Sequence, residues 1–323
     1  VKAVTLMAPG DLRVTEHPDS PVPDGLVRVR IGAAGVCSSD VPRAHGGAYH
    51  HPLVLGHELA GTVGDRRVVV FPLLPCHACG PCAEAEYARC RDYDYFGSRR
   101  DGGFAEHLDV PEWNLLDVPD GVSLDDAALC EPTAVVIHAL DRLGPGPVAV
   151  VGCGFLGLLA VALLRHSGRA VTVLGRHEAK LDRARAFGAD AVAADEAWLT
   201  AHDSTFAAVL QAAGSPDSFR ASLRLAAPGG SVVWMGNPEQ DLALPRDAVS
   251  QLLRKEITVA GTWNSRWPGD WSGALGMMSR GLRPSVFVTE TVDLDGLPAL
   301  ITQYWMRKQG RTSTASIKGL VTP

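Results

Sequence analysis

The sequence predicts an α/β architecture in two parts, a β-rich lobe and a doubly wound parallel sheet, and three observations carry that expectation. Residues 1 to about 120 break into short apolar runs (2–6, 26–31, 59–63 and 67–71) separated by Pro and Gly, the texture of antiparallel β-structure. From about 141 to 262 strand patterns alternate with helix patterns, which builds a parallel sheet between helical layers. Within that stretch one strand runs directly into Gly152-Cys153-Gly154-Phe155-Leu156-Gly157, a spacing that turns strand tightly into helix. A length of 323 residues suits two domains, and 46% apolar against 20% charged residues excludes a disordered or coiled-coil chain.

A net charge of −6 supplies no general attraction to nucleic acid or anionic lipid, so neither is an expected partner. The apolar stretch 148–164 is short for a membrane span and is interrupted by glycines, so it reads as a buried strand plus helix. No signal-peptide pattern is visible, and the expected compartment is the cytoplasm.

In order along the second part, 147–151 reads as a strand and 155–166 as a helix with Gly168 just beyond it. A strand at 170–174 leads to a helix at 177–187, stopped by Gly188. A strand at 206–212 precedes a helix at 215–226, and Pro228-Gly229-Gly230 turns the chain into a strand at 231–236. A strand at 256–261 closes the set, and the last segment mixes a helix near 268–281 with short strands.

Seven cysteines are too few for a disulfide scaffold in a chain of this size, and four of them crowd together. Cys76-x-x-Cys79-x-x-Cys82-x7-Cys90 offers four soft thiolates in one loop, which suits a closed tetrahedral zinc with no position left for substrate. That site is structural. An iron–sulfur cluster uses a different local pattern for its fourth cysteine.

A second, incomplete set is more informative. Cys37 lies in Gly35-Val36-Cys37-Ser38-Ser39-Asp40, and His57 and Glu58 follow twenty residues later, with His45, His50 and His51 as competing imidazoles. A thiolate, an imidazole and a carboxylate leave a zinc position open, as a catalytic site requires. The third ligand is either Glu131 or its neighbour Cys130.

In the glycine turn, Gly152 allows the sharp bend, Gly154 lets a pyrophosphate approach the backbone, and Gly157 lets helix pack on strand. The amides of Phe155 and Leu156 open the helix, whose N-terminus favours phosphate. The next strand ends at Gly175-Arg176, with no carboxylate for a ribose 2′-hydroxyl; Arg176, with Lys180, suits a 2′-phosphate, so NADP(H) is favoured over NAD(H).

These features together resemble the zinc-dependent medium-chain dehydrogenase/reductase family over essentially the full length. Gly56-His57-Glu58, the four-cysteine lobe, Gly102-Gly103-Phe104-Ala105-Glu106, Glu131-Pro132 and the glycine turn occur in that family's order. The Glu131-Pro132 pair is similar to the polyol dehydrogenase branch. So are Ser39-Asp40-Val41-Pro42-Arg43 and the segment 253–269, which look like the members acting on galactitol 1-phosphate.

The resemblance implies a GroES-like domain at 1–124 with its zinc lobe at 76–90, a Rossmann domain at 125–263, and a return to the first domain at 264–323. It implies two zinc ions per chain, the catalytic one held by Cys37, His57 and Glu131, with Glu58 a direct or exchanging ligand. Ser39 would pass the alcohol proton outward and Asp40 would orient His57. The expected substrate is a secondary alcohol of a polyol, sugar or cyclitol, phosphorylated or not, and the expected assembly is a homodimer or homotetramer.

Two competing readings remain at this stage. A zinc-free quinone or enoyl reductase of the same fold has no use for Cys37, His57 and Glu131 together, and an inactive binding protein has no use for an intact glycine turn as well. Trp263, Trp267, Trp271 and Arg43 are candidates to line a polyol pocket, although packing is the commoner role of tryptophan. Lys318 reads as a surface lysine.

Overall fold

An eleven-residue strand, Leu26–Val36, organises the first part of the computed structural model, which describes residues 1–238, 240–311 and 316–323. Burial alternates from Arg28 to Ala33, and its last four residues are all buried because neighbours cover both faces. Glu58–Val63 pairs antiparallel on one side of it and Lys318–Val321 on the other. The sheet continues outward through Arg66–Val70 and Leu115–Asp117 on one flank and Val288–Val292 on the other, while His107–Pro111 also pairs with the long strand. A second, three-stranded sheet of Asp11–Glu16, Lys2–Ala8 and Leu53–Val54 packs here too. Val4, Leu6, Leu53, Leu55, Leu59, Phe104, Leu297 and Ile301 lie in one apolar core.

Chain contacts divide the molecule into two units, Val1–Ala134 with Ser265–Pro323, and Val135–Asn264. The first crossing falls at 134/135 rather than the expected 124/125. The helix Leu124–Ala128 accounts for the difference, since it packs on the strands Leu26–Val36, Glu58–Val63 and Arg66–Val70 of the first unit. Ser123 caps that helix by accepting the Asp126 amide at 3.1 Å.

Among the described residues, the second unit holds six parallel strands. In space they run Asp190–Val192, Val171–Leu174, Val148–Val151, Phe206–Gln211, Ala226–Trp234 and Thr258–Gly261. Numbered along the chain this is 3-2-1-4-5-6, the doubly wound order whose reversal beside the first strand makes a ligand crevice. The helix Phe155–His166 is buried from Gly157 to Leu164. That burial explains the long apolar run, and among the described residues no helix is long and apolar enough to cross a membrane.

Two local readings are corrected. The fifth strand starts at Ala226 and runs through Pro228-Gly229-Gly230, which form a kink in the ladder rather than a turn before it; Gly229 is left-handed at φ 71° and the register slips between Phe206 and Ala208. The edge strand Asp190–Val192 escaped notice because three residues carry no readable alternation.

Candidate active site and metal centres

The four-cysteine lobe closes on itself. Cys79 opens the short helix Gly80–Ala83, with Pro81 in its first turn, and that turn brings Cys82 round to face Cys79. The Sγ separations are 3.5 Å for Cys79–Cys82, 3.8 Å for Cys79–Cys90 and 4.0 Å for Cys76–Cys82. A tetrahedron with Zn–S bonds of about 2.3 Å places its sulfurs about 3.8 Å apart, so this donor set fits zinc. Backbone N–H groups and neighbouring thiols pull Cys79 down to about 6, whereas burial pushes Cys82 up to about 12.

The second cluster forms where the long strand ends. Cys37 follows Val36 directly, and Glu58 pairs with Gly35 at the start of the next strand, so the sheet register delivers both side chains to one place. One ligand atom each from Cys37, His57 and Glu58 lies within 4.8 Å of the others. A soft thiolate, an imidazole and a carboxylate make a three-donor set that fits zinc without enclosing it. Asp40 opens the helix Asp40–Gly46 and is fully buried; its Oδ2 accepts the Cys37 amide at 3.0 Å and its Oδ1 lies 3.4 Å from His57 Nδ1. Burial alone would lower the His57 pKa, but the Asp40 and Cys37 charges overcome it and hold it well above the ordinary value. Ser39 is the N-cap position of the same helix, half-buried, and its hydroxyl makes no cap bond.

Glu131 is buried beside this cluster rather than within its three-atom group. Tyr95 Oη donates to its Oε1 at 3.4 Å, and the Tyr95 ring lies edge-on to His57 at 5.8 Å. Burial, helped by the Glu58 charge, pushes Glu131 up to about 7, and burial raises Tyr95 well above its ordinary value. Cys130 points elsewhere: its Sγ donates to the Trp271 carbonyl at 3.6 Å, and burial keeps it a neutral thiol. His45 stacks on Trp305, while His50 is held by the carbonyls of Pro52 and Arg99, so neither joins the cluster.

Lys318 contradicts its surface reading. It is 4% exposed, and its Nζ donates to Glu58 Oε1 at 2.6 Å and lies 2.5 Å from Oε2. The reason is topological, because the last strand is inserted in the sheet beside the strand that leads into Cys37. Tyr95 was missed as well, since nothing in the spacing of Asp94-Tyr95-Phe96 marks it. Trp267 stacks on Phe71 at 4.5 Å and Trp271 is fully buried, both in packing roles, whereas Trp263 is 59% exposed in the other unit. Arg43 is tied to Asp40 at 3.4 Å.

In the second unit the glycine turn has the shape its spacing implies. Gly152 sits at φ 118°, and a Cβ there would lie 2.9 Å from the Ala212 backbone. A Cβ on Gly157 would lie 2.0 Å from the Gly152 carbonyl oxygen, whereas one on Gly154 would meet nothing within 4 Å. The open side of Gly154 and the uncapped first turn at Phe155 and Leu156 make a cradle that a pyrophosphate fits. Gly175 leaves room for Cys153 and Leu181, each within 3.0 Å of a Cβ placed there. Arg176 follows it exposed, and Lys180 is half-buried on the helix Glu178–Ala186.

Comparison with known proteins finds two domain matches in the chain. Residues 23–120 match the alcohol dehydrogenase GroES-like domain, and residues 156–280 match the zinc-binding dehydrogenase domain. Galactitol 1-phosphate 5-dehydrogenase of Escherichia coli K12 is 34% identical over 307 residues, covering 85% of this chain and 87% of that protein. The crystal structure of galactitol-1-phosphate dehydrogenase from Escherichia coli superposes with a TM-score of 0.90 at 29% identity, covering all of both chains. A zinc-binding dehydrogenase from Sinorhizobium meliloti 1021, bound to NADP, gives 0.88 at 26% identity, covering 100% and 99%. An alcohol dehydrogenase from Escherichia coli CFT073 complexed with NADH gives 0.87 at 25% identity, with the same coverage. Two matched domains, a thiolate–imidazole–carboxylate cluster and a complete glycine turn lead to one conclusion: the chain belongs to the zinc-type alcohol dehydrogenases of the medium-chain dehydrogenase/reductase family.

Proposed function

We propose that the protein oxidises a secondary alcohol of a polyol or sugar to the ketone, with a nicotinamide dinucleotide as hydride acceptor. The observation that carries this reading is the meeting of Cys37, His57 and Glu58 in a chain that also holds a complete dinucleotide turn. A reductase that works without zinc has no use for such a set. Zinc, when bound, acidifies an alcohol hydroxyl and polarises a carbonyl oxygen.

The chain's own residues do the rest. Cys37 and His57 would hold the ion, Asp40 beside His57 Nδ1 would orient the imidazole, and Glu58 and the neighbouring Glu131 would supply carboxylates. Ser39 would accept the alcohol proton and pass it to solvent, and a bound nicotinamide would supply the acceptor for the hydride. Cys76, Cys79, Cys82 and Cys90 would hold a second, structural zinc. Gly152, Gly154 and Gly157, with the Phe155 and Leu156 amides, seat the pyrophosphate. Arg176, with Lys180, pairs the 2′-phosphate and makes NADP(H) the preferred cofactor. The protein works in the cytoplasm as a homodimer or homotetramer. Galactitol 1-phosphate is the first candidate substrate, because the enzyme named for it matches this chain from end to end.

The test is reduction of NAD⁺ and NADP⁺ by zinc-replete protein offered galactitol 1-phosphate or galactitol. Turnover of the phosphate ester is expected, faster with NADP⁺. Turnover of free galactitol alone would overturn the phosphorylated substrate, and no turnover with this or any other polyol, sugar or cyclitol would overturn the reading.

A further inference from the structure

Glu58 and Lys318 are 260 residues apart, yet they meet across the end of the strand Leu26–Val36. Gly35 pairs with Glu58 on one side of that strand and with Leu320 on the other, so Gly35 lies between them. A Cβ on Gly35 would stand 2.0 Å from Glu58 Oε2. The glycine is therefore the gap through which the carboxylate reaches the lysine. Both oxygens of Glu58 lie within 2.6 Å of the Lys318 ammonium, and the two side chains are 1% and 4% exposed. The same carboxylate lies within 4.8 Å of the Cys37 sulfur and a His57 ring nitrogen.

A buried carboxylate engaged this closely by a cation cannot also give its full charge to a metal. We propose that Lys318 is a positioning residue that competes with the metal for Glu58, holding the carboxylate back so that a coordination position is left for the substrate oxygen. Removing the ammonium does two things of the same sign. It frees Glu58 as a ligand, and it leaves a buried charge without its cation, which a metal at the site then compensates.

The inference rests on the reading that Cys37, His57 and Glu58 hold a metal, and the experiment separates the two. Cobalt(II) replaces zinc, which is spectroscopically silent, and affinity is read by chelator competition while visible absorption reports coordination. Lys318→Met should bind cobalt about tenfold more tightly, the lower end of the range for residues behind metal ligands, and its absorption bands should shift. Lys318→Arg should restore wild-type behaviour. In a Glu58→Gln background, Lys318→Met should change neither readout. Should the Met variant fail to fold, Lys318→Gln, which keeps a donor to the carboxylate, is expected to show the same tightening in smaller degree.

Unchanged affinity and absorption in these variants would overturn the inference, as would an equal shift with and without Glu58. Undiminished cobalt content in Cys37→Ser would overturn the metal reading beneath it.

Discussion

A methyl group on Gly157 would sit 2.0 Å from the Gly152 carbonyl oxygen, and backbone cannot step aside for it. Gly157→Ala should therefore distort the turn and weaken dinucleotide binding more than tenfold by titration calorimetry. Gly154→Ala meets no protein atom within 4 Å, so it should fold as wild type and lose affinity only through its clash with the pyrophosphate. Wild-type binding by Gly157→Ala would show that the turn is not the cofactor seat. At this scale the sequence was readable where chemistry and spacing coincide, as in the cysteines and glycines. It was silent where a side chain arrives from a distant strand. Lys318 sits in Ile317-Lys318-Gly319-Leu320-Val321, where one lysine among apolar residues resembles any strand edge; only the insertion of that strand beside Val36 turns it inward. Tyr95 likewise depends on a two-residue strand pairing Leu73–Leu74 with Asp94–Tyr95, which has no pattern of its own.

At the scale of elements, the cysteine lobe and the last strands make different demands. His77 adopts a left-handed conformation between two cysteines, and its ring contacts Trp113 at 4.8 Å and Tyr87 at 5.9 Å. Those rings rest on the lobe's closure. Cys82→Ser should lose one zinc, lower the melting temperature by several degrees and shift tryptophan emission, because a structural site contributes directly to folding. Cys37→Ser should lose one zinc with a much smaller change in melting temperature. Equal melting temperatures for wild type and Cys82→Ser would contradict a structural role.

The strand Val288–Val292 carries a second device. Glu290 accepts hydrogen bonds from Tyr304 at 3.0 Å and Ser316 at 2.7 Å, and Arg307 lies 3.2 Å away. Burial would raise its pKa, but these partners and Thr289 hold it below the ordinary value of 4.5. A depressed carboxylate adds stability above its unfolded pKa and loses it as the pH falls through the folded one. Glu290→Gln should then cost about 1–2 kcal/mol in urea at pH 7, with the difference from wild type shrinking below about pH 4.5. A difference that persists unchanged at pH 3 would rule this out.

For the whole molecule, the two-part architecture was legible because the change from β-texture to strand–helix alternation is a change of hydrophobic period. The point where the chain leaves the first unit was not, since the helix Leu124–Ala128 packs on strands from far earlier in the sequence and nothing local marks that allegiance. Two units, one with metal ligands and one with a dinucleotide turn, are what an alcohol–nicotinamide hydride transfer needs. The central claim is that the Cys37 site makes this reaction possible. The most direct measurement compares wild type with Cys37→Ser, each assayed for zinc per chain, NADP(H) binding and alcohol-dependent nicotinamide reduction. The expected result is two zinc ions and turnover in the wild type, against one zinc, unimpaired nucleotide binding and a loss of nearly all turnover in the variant. Turnover retained by Cys37→Ser with only one zinc bound would contradict the account.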